Sequence, residues 1–163
     1  MTPVAIVMGS DSDMDIMKAC IEQLGAFDIQ PEVRIISAHR TPEAADGFAQ
    51  SAADKGIKVI IAAAGMAAHL AGAMAGRTPL PIIGVPLVSA SGVGGMDALL
   101  STVQMPPGVP VGTMGLGKAG AKNAAIFSVQ ILALADDTLR EKLIQYKKEQ
   151  AQAVIRKDAA LQV

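Results

Sequence analysis

VAIVMGSDSDMDIMKACIEQLG, residues 4–25, sets out a unit that the rest of the chain repeats. Val4 to Met8 is an unbroken apolar run, rich in β-branched residues and ended by Gly9, which reads as a buried strand. Met14, Met17, Cys20, Ile21 and Leu24 then fall on one face of a helix, and Gly25 supplies its stop. Between strand and helix lie Ser10, Asp11, Ser12 and Asp13, short polar residues suited equally to capping a helix and to binding a ligand.

The same succession returns four times. Glu32 to Ser37 predicts a second strand, and Thr41-Pro42 opens a helix as cap and first residue, running to about Lys55 before Gly56. Lys58 to Ala63 predicts a third strand, followed by a small-residue helix near Ala67 to Gly76. Pro81 to Val85 predicts a fourth, then the loop S-A-S-G-V-G-G and a helix over Met96 to Val103. Pro110 to Met114 predicts a fifth, then G-L-G-K-A-G and a helix from about Ala121 to Ala135. Asp136 to about Lys157 reads as a final charged helix. Its apolar positions, Leu139, Leu143, Tyr146 and Ile155, fit packing on their own domain as well as covering a neighbouring subunit. Strands alternating with helices imply parallel strands with right-handed crossovers, hence an α/β fold built as a three-layer α/β/α sandwich. Five strands favour a flavodoxin-like parallel sheet of order 2-1-3-4-5, plus the C-terminal helix, over a six-stranded dinucleotide fold. No linker, repeat or low-complexity tail interrupts the pattern, so residues 1–163 read as a single domain.

Composition narrows the function. Hydrophobic residues make up 51% and charged residues 18%, a shortage of polar surface that predicts burial against further copies of the chain. A net charge of −1 without a basic stripe, and 2% aromatics with no Trp, argue against nucleic acid as a partner. The one cysteine, Cys20, lies on an apolar helical stripe and reads as a buried structural thiol, which excludes an internal disulfide and a cysteine-based zinc site. Residues 59–76 are apolar enough to suggest a membrane span, but their Ala and Gly content, Gly65 and His69 fit a strand and a helix better. The N-terminus carries no basic region before its first strand, so no signal peptide is expected and the chain reads as cytoplasmic, without a membrane partner.

In such a sheet the loops following the strands share the carboxyl edge, where ligands bind. Here those loops carry Ser10, Asp11, Ser12 and Asp13; Ser37, His39 and Arg40; Met66 and His69; Ser89 and Ser91; and Lys118. Both histidines of the chain are on that edge. Ser12 with Asp15 has the spacing of a capping box, leaving Ser10 and Asp13 for another task. In S-A-H-R-T-P (37–42), His39 and Arg40 beside a helix N-terminus suit proton transfer and phosphate binding, and equally a rim ion pair. His69 reads as a structural histidine or as a ligand-binding one. Two nucleotide motifs fall short. Gly112 to Lys118 has P-loop spacing, but Ala119 stands where a magnesium-binding hydroxyl belongs. Gly115, Gly117 and Gly120 spell G-x-G-x-x-G, but no later strand follows to carry a ribose-binding acid.

Taken together, M-G-S-x-S-D (8–13), S-A-H-R-T-P (37–42), G-x-A-A-H-L-x-G (65–72), G-V-P (84–86), S-x-V-Q-M-P-x-G-V-P-V-G-T (101–113) and G-K-A-G-A-x-N-A (117–124) resemble the catalytic subunit of phosphoribosylaminoimidazole carboxylase. Its bacterial class comprises the N5-carboxyaminoimidazole ribonucleotide mutases. The resemblance runs in order from Val4 to about Ala135. It implies a homo-octamer acting in de novo purine (IMP) biosynthesis. The reaction moves a carboxylate from the exocyclic amine of a ribonucleotide to C4 of its imidazole, with no metal, ATP, biotin or other cofactor. The implied route is decarboxylation followed by recarboxylation at carbon, inside a small closed pocket lined by Gly and Ala. By the same resemblance His39 is the general acid/base, Arg40 meets the phosphate, Asp13 the ribose hydroxyls, and Ser10 the reacting carboxylate. Ser12, Ser37, Gly65 and His69 complete the expected substrate-binding set. Within residues 65–72 two departures stand out: Met66 replaces a glycine, and Ala71 a proline, of the usual G-G-A-A-H-L-P-G. Direct carboxylation of aminoimidazole ribonucleotide is the rival chemistry. A flavin-carrying module is the rival binding function, disfavoured by the few aromatics.

Overall fold

The computed structural model describes residues 2–161. Its centre is a five-stranded parallel sheet: β1 (Val4–Met8), β2 (Glu32–Ile35), β3 (Val59–Gly65), β4 (Ile82–Leu87) and β5 (Gly112–Thr113), in the order β2-β1-β3-β4-β5. The helices are α1 (Met14–Gly25), α2 (Pro42–Ser51), α3 (Leu70–Ala75), α4 (Met96–Val103), α5 (Gly117–Leu132) and α6 (Asp137–Leu161). The flavodoxin-like architecture read from the sequence is therefore present, with its predicted strand order.

Two compact units make up the fold, one through Ser128 and one from Val129 on. In the first, β1 and β4 are buried along their whole length and β3 along all but its last two residues, as a parallel sheet covered on both faces requires. Strand side chains alternate between the faces. Ala5, Val7, Ile60 and Ala62 pack with Phe48 and Ala49 of α2 and with Leu70 and Met74 of α3 in one cluster. Met17, Cys20 and Leu24, the inward stripe of α1, are fully buried outside that cluster. Burial pushes the Cys20 thiol up to about 12, against one opposing hydrogen bond with the Ala125 backbone, and so keeps it protonated and inert. In the second unit, α6 buries Leu143, while Leu134, Val154 and Ile155 are exposed.

The structure redraws several boundaries. Residues 59–76 resolve into β3 and α3, and among the described residues no helix is long and apolar enough to cross a membrane. β4 runs on through Pro86, two residues past the predicted end. Gly84 accepts a hydrogen bond from the Met114 amide on the β5 side, so Pro86, two residues on, turns its missing N–H to that same side, where β5 has already ended. α5 starts at Gly117, not near Ala121, and takes the glycine motif into its first turn. A side chain on Gly120 would run into the Gly115 carbonyl, so that glycine serves close backbone packing.

Candidate functional site

Three neighbouring strands, β2, β1 and β3, deliver their following loops to one cavity of about 500 Å³ at the carboxyl edge. All eight residues of the expected catalytic and substrate-binding set line it: Ser10, Ser12 and Asp13 from the first loop, Ser37, His39 and Arg40 from the second, and Gly65 and His69 from the third. Ser89, after β4, joins them, whereas Asp11, Ser91 and Lys118 do not line the cavity. Ala38, Ala64, Ala67 and Leu70 supply an apolar floor that the sequence reading did not single out.

The first loop is anchored by the Gly9 amide, which donates to the Ala63 carbonyl at 3.0 Å. It then makes a single turn of 3₁₀ helix over Asp11–Asp13, which displaces the cap from its expected place. Ser10 is the N-cap: its hydroxyl accepts from the Ser12 amide at 3.4 Å, while Asp13 Oδ2 accepts from the Ser10 amide at 3.1 Å. The capping box is thus Ser10–Asp13. The predicted Ser12–Asp15 box is not formed, and Asp15 instead pairs with Lys18 on the exposed face of α1. Ser10 and Asp13 hold the loop in shape while also facing the cavity.

Asp13 is half-buried, and burial pushes its carboxyl above the ordinary 3.8. Hydrogen bonds from the Ser10 and Gly9 amides oppose that rise, and the charge of Asp11 adds to it. The native state therefore binds this proton more readily than the unfolded chain does. The charged carboxylate costs stability in full above its raised native value, and the cost disappears below 3.8. Asp13→Asn keeps an acceptor for the Ser10 amide and removes the charge. We expect it to melt at or above the wild-type temperature at pH 7, with the difference closing as pH falls toward 3.8. Melting well below wild type at pH 7 would mean that the carboxylate's hydrogen bonds outweigh its burial.

In the second loop Thr41 precedes α2 and Pro42 is its first residue, but the Thr41 hydroxyl does not cap the helix. It bonds back to Ser37 instead, accepting from the amide at 3.0 Å and donating to the carbonyl at 2.9 Å. This tight turn throws His39 and Arg40 outward. Arg40 reaches across to the first loop: Nη2 donates to the Gly9 carbonyl at 3.1 Å and Nε to Ser37 Oγ at 3.3 Å. Among the described residues it has no acidic partner within 4 Å, so the rim ion pair is not formed. A guanidinium held only by neutral acceptors, one residue from the turn into α2, keeps its charge available to an anion.

The third loop brings His69, the residue before α3, against His39: Nε2 of His39 lies 2.7 Å from Nδ1 of His69, with the rings edge to face at 4.9 Å and 82°. Such a bond needs one nitrogen as donor and the other as acceptor, so the pair cannot be protonated on all its nitrogens and stay joined. Ahead of it, Met66 has φ +55°, in the left-handed region that disfavours side-chain-bearing residues by roughly 1–2 kcal/mol. His39, Arg40 and His69 are exposed in the single chain, so the small closed pocket expected from the sequence is here an open one. Among the described residues no three His, Cys, Asp or Glu side chains are gathered as metal ligands would be.

The AIR carboxylase family profile matches residues 3–153. The N5-carboxyaminoimidazole ribonucleotide mutase of Mycobacterium tuberculosis is 50% identical over 159 residues, covering 98% of this chain and 90% of that one. The mutase of Escherichia coli is 48% identical over 152 residues, covering 93% of this chain and 89% of that one. In three dimensions the crystal structure of Treponema denticola PurE is similar, with a TM-score of 0.87 and 29% identity over 98% of each chain.

Proposed function

The chain belongs to the AIR carboxylase family, and from that premise we propose how its site works as an isomerase of purine biosynthesis, converting N5-carboxyaminoimidazole ribonucleotide to 4-carboxy-5-aminoimidazole ribonucleotide. The observation that carries the mechanism is the 2.7 Å contact between His39 and His69 inside the cavity. The reaction consumes and releases no net proton. One proton goes to the exocyclic nitrogen as the carbamate breaks, and one comes off C4 as the new carbon–carbon bond settles. A single imidazole that gives the first and takes the second closes the cycle, which suits His39. His69 holds that ring by its Nε2 edge in the resting site and supports one shared proton between the two.

The remaining candidates fit around the ribonucleotide. Arg40, without an acidic partner, takes the phosphate; Asp13 accepts from the ribose hydroxyls; Ser10, with Ser12 next to it, lies toward the migrating carboxylate; Ser37 holds Arg40 in place. Gly65 keeps the wall low, since a Cβ there would meet the Leu87 carbonyl at 3.2 Å. No cofactor enters this scheme. The openness of the site in one chain, together with Met96, Leu100 and Val103 half-exposed along α4, supports a homo-oligomer, which the family resemblance makes an octamer, working in the cytoplasm.

The deciding experiment is a choice of substrates followed by ultraviolet absorbance without ATP or metal. We expect rapid formation of the C4-carboxylate from N5-carboxyaminoimidazole ribonucleotide, and none from aminoimidazole ribonucleotide at low bicarbonate. Conversion of the second alone would make the protein a direct carboxylase and overturn the reading.

A further inference from the structure

We propose that Met66 is a specificity-determining wall of the cavity, supplying the apolar surface against which the aminoimidazole ring packs and which retains carbon dioxide between cleavage and recapture. This rests on the decarboxylation–recarboxylation reading above.

The backbone at Met66 is fixed from both sides. Gly65 before it is the last residue of the β3–β4 ladder, paired with Leu87. After it, the Ala67 carbonyl accepts from the His69 amide at 2.9 Å as the chain turns into α3. The residue between them is held at φ +55°, which glycine adopts freely and methionine does not. Strain of this kind persists only where its surroundings over-determine it, and it gathers at ligand sites. The side chain is also the one suited to the task. The rest of the apolar lining is short, Ala38, Ala64 and Ala67 with two glycines, apart from Leu70, which is 2% exposed and packed into the core. Met66 lines the same cavity as the histidine pair and is 50% exposed, so its flexible thioether remains available to a ligand.

The chemistry rewards containment, and Met66 adds side-chain surface where the usual family pattern has glycine. When the carbamate C–N bond breaks, its electron pair stays on nitrogen, which takes a proton from His39, and neutral carbon dioxide is set free. The ring then attacks through C4, the C–C bond forms, and the C4 proton returns to His39. Between those steps no charge holds the carbon dioxide, so containment and exclusion of water decide whether it is recaptured.

The test uses the intact protein and substrate carrying ¹³C in its carboxylate, turned over in unlabelled bicarbonate, with the product weighed by mass spectrometry. Wild type should retain most of the label; Met66→Gly should lose about threefold more of it, and Met66→Leu should stay near wild type. The glycine variant should melt no lower than wild type, because its backbone is relaxed at this φ. Equal label loss in wild type and Met66→Gly would overturn the proposal. If wild type makes no carboxylated product at all, the reaction reading fails instead. The wall is then judged by calorimetric affinity for aminoimidazole ribonucleotide: weaker binding by Met66→Gly upholds it, and equal binding overturns it.

Discussion

Replacing His39 by Asn is expected to leave a folded protein whose turnover falls by roughly 10²–10⁴-fold, the range that a positioned acid/base contributes. Two features of the site place the loss in chemistry and not in folding. His39 is exposed in the turn between β2 and α2, and its ring contact is with His69, itself exposed at the mouth of the cavity. Both rings are exposed, so removing the imidazole opens no cavity inside the core. Asn is close to the imidazole in size as far as its amide, and it can still donate to His69, but it cannot release a proton and take it back. On the proposed mechanism the same residue serves both half-reactions, so its loss should stop decarboxylation and recarboxylation together. Absorbance kinetics at saturating substrate, beside a melting curve by circular dichroism, check this. A variant with a wild-type melting temperature and more than about a tenth of wild-type kcat would remove His39 from the acid/base role.

Much of that site was legible beforehand, and what was not has definite causes. The alternation of apolar runs with Gly- and Ser-rich loops determined the order of elements. It also fixed which loops share an edge, so the candidate residues converge on one cavity as expected. The capping register was not legible, because S-x-x-D occurs twice in overlap, at Ser10–Asp13 and at Ser12–Asp15. Both fit the rule, and the 3₁₀ turn over 11–13 selects the first. The start of α5 was missed because Gly117 and Gly120 look like loop residues until the close approach of Gly120 to Gly115 is visible. The histidine pair was half legible. Both rings could be assigned to one edge, but their contact spans 30 positions in sequence and depends on β1 lying between β2 and β3. Met66 could be seen as a departure from its relatives' pattern. Its left-handed backbone, which gives the departure physical meaning, is set by the turn out of β3 and leaves no trace in composition.

Arg40→Ala is expected to weaken binding of the phosphate-bearing substrate by roughly 10–150-fold, the equivalent of ~1.5–3 kcal/mol for a charge-assisted hydrogen bond. The guanidinium is already oriented: Gly9 and Ser37 each accept one of its N–H groups, which leaves further donors and the whole positive charge for an incoming anion. A phosphate arriving there displaces no competing carboxylate, and the turn into α2 adds its own partial positive charge. The bond to the Gly9 carbonyl also ties the second loop to the first, so the substitution could loosen the loops as well as remove a charge. Two measurements separate these effects. Arg40→Lys keeps the charge but not the planar fork, and should recover part of the affinity if the phosphate is the target. The substrate analogue without its phosphate should bind wild type and Arg40→Ala alike, since it lacks the group that Arg40 reads. Equal weakening of both ligands would assign Arg40 to loop architecture, and unchanged affinity for the phosphorylated one would remove it from the site altogether.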